Sequence, residues 1–373
     1  MSLSTLNTVK VWSTAAVVAA GLLVSPLSLV AVRAADAIFA PGEPIITGFS
    51  GVVAPTSPPP ATDPLDRTFI DSAGKSVVIQ QLQPDGPPSG QLIASPTVFG
   101  ATASDVGQVF GLTLDDAPDT IGAKAPNIYV AATSAFGLNL VVPGPDGNPV
   151  RSKTGAAGAT FMPGQWGAAG GAMGYPGSIW KIDGTTGEVS LFTTIAANTG
   201  AGLGNIVYDP ASSQFFVSDL DSGLIYRLAA DGTIIDTFDH GVTGRPTHSL
   251  AAVPDDGSTI DITSASFNSE DPSTWGFTQP ERRVYGLAVH GGRLYYAVAD
   301  GPQIWSVGIK DDGGFGTPRW ELDVTGLPAQ SEIAGIAFDG QGRMILAQRG
   351  APVGSYDYSA FTSSVPASVV RYR

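Results

Sequence analysis

Residues 206–232 read IVYDPASSQFFVSDLDSGLIYRLAADG. Short runs rich in Ile, Val, Phe and Tyr alternate here with Asp-, Gly-, Pro- and Ser-rich segments. That pattern describes strands joined by tight turns. Asp219, Asp221 and Gly223 also look like part of an oxygen-rich cation loop, so the stretch has to be read as a metal site or as one copy of a structural repeat.

The repeat is found by looking outward. Four opening runs share one shape: VFGLTLDD (109–116), LGNIVYDP (203–210), VYGLAVHG (284–291) and IAGIAFDG (333–340). Second runs follow as NIYVAAT, QFFVSDL, RLYYAVA and RMILAQR, and third runs as SIWKID, LIYRLA, QIWSVG and SVVRYR. The first three copies add fourth runs, EVSLFTTI, TIIDTF and RWELDV. Such copies are antiparallel meanders that bury their faces only against one another, so the sequence predicts an all-β propeller of four-stranded blades, with at least four blades. On this reading the stretch is the end of the second strand and the third strand of one blade, a structural copy of the repeat.

Composition agrees with many short elements joined by turns: the 373 residues include 47 Gly and 29 Pro, with 43% apolar and 14% charged residues. Long helices are not expected. A net charge of −14 repels phosphate backbones, which argues against nucleic-acid partners. The absence of cysteine removes disulfides, thiolate metal sites and cysteine nucleophiles together.

Residues 1–37 carry a targeting pattern, with Lys10, an apolar run from Ala15 to Val24 and small residues at Ala34, Ala35 and Ala37. The expectation is a signal peptide and an exported protein, periplasmic or extracellular, with no membrane span after cleavage. Residues 38–66 are Pro-rich and read as an arm or linker, leaving 67–373 as the propeller domain. Two weaker signals bear on ring size: HSLAAVPDDGSTIDITS (248–264) has the spacing of a first and second strand, and SVVIQQL within 67–82 could complete the last blade.

Strand direction sorts the loops by face. In an antiparallel blade the link from second to third strand emerges beside the link between blades. All four long loops, 83–108, 134–177, 239–283 and 350–367, therefore belong to one face, opposite short turns such as DPASS and AADG. Function on rigid scaffolds gathers in such loops. The ligand-binding candidates are Trp166, Tyr175, His240, Arg245, His248, Trp275 and Tyr356.

The phrases IVYDPASSQFFVSDLDSGLIYRLAADG and IAGIAFDGQGRMILA resemble the repeats of NHL and regucalcin/gluconolactonase-like propellers, commonly six-bladed. That resemblance implies a channel-bound divalent cation held by a Glu, an Asp and an Asn, the Asn in an Asn-Gly pair opening a first strand. The aligned pairs here are Phe110-Gly111, Gly204-Asn205, Tyr285-Gly286 and Ala334-Gly335. Asn205 stands one position late, and strand alternation would turn it away from the channel. Asp219, Asp221 and Glu332 are the oxygen ligands on offer, with Ca²⁺ as the cation they would suit; a rim salt bridge is the other role for Glu332.

No GxSxG elbow, HExxH, P-loop or complete EF-hand sequence occurs. The leading expectation is an exported binding or interaction scaffold working through the long-loop face, with an extracytoplasmic protein, glycan or small molecule as partner. The alternative is a divalent-cation-dependent hydrolase or lactonase with its site at the channel mouth.

Overall fold

The computed structural model describes residues 37–54, 68–81, 95–116, 125–327, 331–349 and 367–372. Residues 1–36 of the targeting segment, 55–66 of the Pro-rich segment, and 350–366 of the fourth long loop with Tyr356 lie outside the described residues. Among the described residues the only α-helix is a single turn, Ala103–Val106, and no helix is long and apolar enough to cross a membrane.

The four repeats form the predicted sheets. Blade 1 consists of Val109–Leu114, Ile128–Ala132, Ser178–Ile182 and Val189–Thr194; blade 2 of Leu203–Asp209, Gln214–Asp219, Leu224–Leu228 and Ile234–Asp239. Blade 3 consists of Val284–His290, Arg293–Val298, Gln303–Ile309 and Phe315–Asp323. Blade 4 has three strands, Glu332–Phe338, Met344–Arg349 and Ser368–Tyr372.

Alternation along the third strands explains how the blades hold together. Trp180, Tyr226, Trp305 and Val370 occupy equivalent positions, and each packs back onto the preceding sheet. Their neighbours Ile179, Ile225 and Ile304 face forward into the next sheet, fully buried. Val369, the fourth equivalent, is 71% exposed, and Ala337 and Ala347 beside it are exposed too. Blade 4 therefore presents an uncovered forward face among the described residues.

All four opening strands are broken at the same place. Leu203 pairs with Asp219 and Ile206 with Val217, so Gly204 and Asn205 together oppose one residue, Ser218. Phe110-Gly111 and Tyr285-Gly286 are bulged in the same way, and Ala334 is the extra residue in blade 4. Glycine is required at 111, where a Cβ would stand 2.8 Å from the Asn205 Cα as the inner strands converge. Side chains stitch the seams: Thr47 Oγ1 donates to the Phe110 carbonyl (2.7 Å), Tyr208 N to Thr113 Oγ1 (3.1 Å) and Ser218 Oγ to the Tyr285 carbonyl (2.6 Å).

Three expectations are corrected. Lys75–Gln80, which contains SVVIQ, does not complete the last blade: it lies between Ile45–Thr47 and Thr97–Thr102 in an N-terminal sheet packed on blade 1. Val77 and Ile79 face blade 1 there and are fully buried, which fixes the strand on that side. Residues 45–47 and 52–53, which the proline content assigns to an extended arm, are strands of the fold. Residues 248–264 form no strand, because Ile260 and Ile262 pack into the loop layer instead.

Loops 134–177 and 239–283 meet and fold together. Thr154 and Asn268 form an antiparallel bridge, Gly155 N donates to the Phe267 carbonyl (3.1 Å), and Lys153 pairs with Glu270 (2.9 Å). Loop 134–177 contains its own three-stranded sheet, Leu140–Pro143, Pro149–Ser152 and Thr160–Phe161. Leu138, Leu140, Trp166, Phe267 and Trp275 form a shared core beneath this cap. Of loop 83–108, the described part is largely regular: Thr97–Thr102 and the Ala103–Val106 turn.

Candidate functional site

The cap encloses a cleft of about 780 Å³. Behind its wall Gln165 is fully buried: its side-chain amide accepts from Asn139 N (3.2 Å) and donates to the Gly137 carbonyl (3.1 Å), while its backbone carbonyl accepts from Gln108 N (3.0 Å). Trp166 follows, and its carbonyl accepts from Trp180 Nε1 (2.9 Å), tying the cap to blade 1. Gly167 must lack a side chain: at φ +82° it lies against the backbone of Val106 and Gly107.

Phe161, Met162, Trp166, Met173, Tyr175 and Ile262 supply the apolar lining, with Phe161 edge-on to Trp166 at 5.3 Å. Hydroxyls of Ser72, Ser104, Thr160 and Tyr175 stand among them, and among the described residues none that lines the cleft carries a charge. Met173 and Tyr175 sit at 63% and 59% exposure. The volume lies in the range of small-molecule sites.

The ligand-binding candidates named from the sequence divide between places. Trp166 and Tyr175 line the cleft; Trp275 lies fully buried in the cap core, its Nε1 donating to the Asn268 carbonyl (3.0 Å). His240, Arg245 and His248 gather elsewhere, over the outer strands of blade 3. His240 is fully buried edge-on to Trp305, with Nδ1 3.1 Å from the Tyr296 hydroxyl, and burial followed by Arg245 and Arg282 pulls its pKa down to about 3. Arg245 holds the Ala251 carbonyl and Asp300, and exposed His248 stacks on Trp320. Phe161, Met162, Met173 and Ile262 are missed by the sequence reading; the clustering of Met with aromatic residues in 161–175 is the one signal that points to them.

The oxygen-ligand candidates also separate. Asp219 is fully buried and accepts from Asn198 Nδ2 (2.6 Å), Ser222 Oγ (2.5 Å) and Asp221 N (3.0 Å), with its pKa raised by burial. Asp221 accepts from Thr199 N (2.6 Å) and Thr199 Oγ1 (2.7 Å); burial pushes its pKa up to about 6. Glu332 takes two hydrogen bonds from Arg349 (3.0 and 2.7 Å), with Arg283 at 3.9 Å. Among the described residues no three His, Asp or Glu side chains surround a common point.

Asn205 corrects the alternation argument. Because the bulge adds a residue, its side chain lies inward, lining a recess of about 350 Å³ where the inner strands open on the short-turn face, with Nδ2 3.4 Å from the Ala334 carbonyl. Toward the cap, convergence is filled by Phe110 edge-on to Tyr285 (5.6 Å), beside Ala334 and Leu220.

No family model matches the chain, and no curated protein matches it. Among solved structures, the PQQ-bound aldose sugar dehydrogenase of Streptomyces coelicolor is 14% identical, covering 89% of this chain and 81% of that one at TM-score 0.39. The nidogen/laminin complex is 13% identical, covering 74% of this chain and 68% of that one at TM-score 0.38. Likenesses this distant bear on no activity. What makes the chain propeller-like is its own series of antiparallel sheets, packed face to face around converging first strands.

Proposed function

We propose that the protein is an exported binding propeller whose working surface is the cap made by loops 134–177 and 239–283. The observation that supports this reading is the cleft itself: two loops from different blades are held rigidly around a common core, yet leave a recess open beside it. Loops that only sealed the blades would need no such recess. Ordered loops on a rigid sheet scaffold are where binding groups are usually placed.

The test exploits the absence of cysteine. Thr160→Cys at the cleft and Ala211→Cys on the short-turn face would each be coupled to a bulky maleimide polymer, and a panel of small molecules and glycans screened by thermal shift. Stabilisation by a bound compound is expected to vanish on blocking residue 160 and to survive blocking residue 211. The opposite pattern would move the working surface to the short-turn face.

A second reading, a divalent-cation-dependent hydrolase or lactonase, draws on Asn205 in the short-turn recess. Lactone or ester turnover abolished by a chelator would favour it over the cap.

A further inference from the structure

We infer that the cap cleft binds an uncharged, largely apolar small molecule carrying an aromatic or fused ring. This rests on the cap being the working face. Three rings (Phe161, Trp166, Tyr175) and two thioethers (Met162, Met173) meet around the cleft. Flat rings stack or pack edge-on against such walls, and methionine adapts to irregular outlines.

Charge decides the class further. The chain carries a net charge of −14, yet among the described residues none that lines the cleft is Asp, Glu, Lys, Arg or His. An anion entering the cleft finds no cation to pair with and an acidic protein around it. A cation finds no carboxylate on the wall. Either would be desolvated without compensation, which is costly. Polar recognition from described side chains comes from the hydroxyls of Ser72, Ser104, Thr160 and Tyr175 and the indole N–H of Trp166, together with backbone groups, enough to orient one or two hydroxyl or carbonyl groups of a neutral ligand.

Size and position exclude a larger occupant. A recess of about 780 Å³ matches one compact molecule. The rim residues Met173 and Tyr175 stand 63% and 59% exposed, poised to close over such a molecule and lose contact with water.

The experiment is a fluorescence titration of the folded protein with neutral N-phenyl-1-naphthylamine and its anionic relative 1-anilinonaphthalene-8-sulfonate. The neutral probe is expected to bind saturably, and the sulfonate at least about tenfold more weakly, as an unpaired buried charge requires. Met173→Glu and Tyr175→Glu, both at exposed positions, should weaken the neutral probe about tenfold with no change in Tm. Ile234→Glu, a 43% exposed residue on the outer strand of blade 2, should change nothing. No binding of the neutral probe, equal binding of the sulfonate, or equal effects of Met173→Glu and Ile234→Glu would each overturn the inference. Charged compounds whose stabilisation is lost on blocking residue 160 would overturn it while leaving the cap as the working face; binding indifferent to blocking residue 160 would remove both.

Discussion

Arg349 grips Glu332 at the cap end of blade 4, donating from Nε at 3.0 Å and Nη2 at 2.7 Å, while its Nη1 reaches the Ala135 carbonyl in the first long loop. One guanidinium thus joins the last blade to the cap of the first. Glu332 is only 3% exposed, so removing it takes the carboxylate away from Arg349 and Arg283 in a poorly solvated place. Glu332→Ala is expected to cost about 3–5 kcal/mol in urea unfolding. The double change Glu332→Leu with Arg349→Leu should cost less than Glu332→Ala alone, because most of the penalty is the uncompensated charge.

The forward faces of the blades predict a contrast between equivalent residues. Ile225 is fully buried against blade 3, whereas Val369 at the same repeat position is 71% exposed. Ile225→Ala should lose about 2–4 kcal/mol, in the range of large-to-small core changes. Val369→Ala should stay within about 0.5 kcal/mol, as for surface positions. Equal losses would show that blade 4 is covered in solution.

Stability should depend on pH through opposed buried groups, the carboxyls Asp219 and Asp221 against His240. Asp221, raised by burial to about 6, binds its proton more tightly folded than unfolded, so between about pH 4 and 6 its contribution falls as pH rises. His240, lowered to about 3 by burial and then by Arg245 and Arg282, is protonated first in the unfolded chain, so stability is lost as pH falls from about 6.5 toward 3. Asp219, its pKa also raised by burial, adds to the Asp221 side. The loss from His240 on acidification is therefore opposed by both carboxyls and is read by difference between the parent protein and His240→Gln. Asp221→Asn is expected to stabilise the protein at pH 7 by about 2 kcal/mol, since the amide oxygen still accepts from Thr199 without a buried charge. His240→Gln should flatten the acid limb of the profile.

Much of the fold is legible in the chain. The repeat of four short runs locates the strands of all four blades, because period-two patterning and turn residues act locally. Asn205 is misplaced by that same logic for a definite reason: counting alternation assumes an unbroken strand, and the bulge at Gly204-Asn205 reverses parity beyond it. Glycine inside each first run is the available sign. Ile45–Thr47 is too short to declare itself, and its pairing with Lys75–Gln80 depends on contacts far along the chain. Loop lengths point to the cap's face, whereas the division of Trp275 into its core and Tyr175 onto its rim depends on tertiary packing that composition does not encode.

Chelation should leave the protein's melting behaviour alone. Asp219 and Asp221 are engaged by Asn198, Ser222 and Thr199, and Glu332 by Arg349. Treatment with a chelator is therefore expected to leave Tm unchanged. A fall in Tm reversed by Ca²⁺ would reinstate these carboxylates as ligands.

One cap built by loops from two different blades underlies the proposed function. Thr154 and Asn268 are bridge partners across that contact, which brings their Cα atoms to about 4.5–5.5 Å, within disulfide reach. In a chain without cysteine, Thr154→Cys with Asn268→Cys is a clean reporter. Mild oxidation should close an intramolecular disulfide in nearly every folded molecule and raise Tm. Thiols that stay free in the folded protein under the same oxidant would mean that the two loops do not meet.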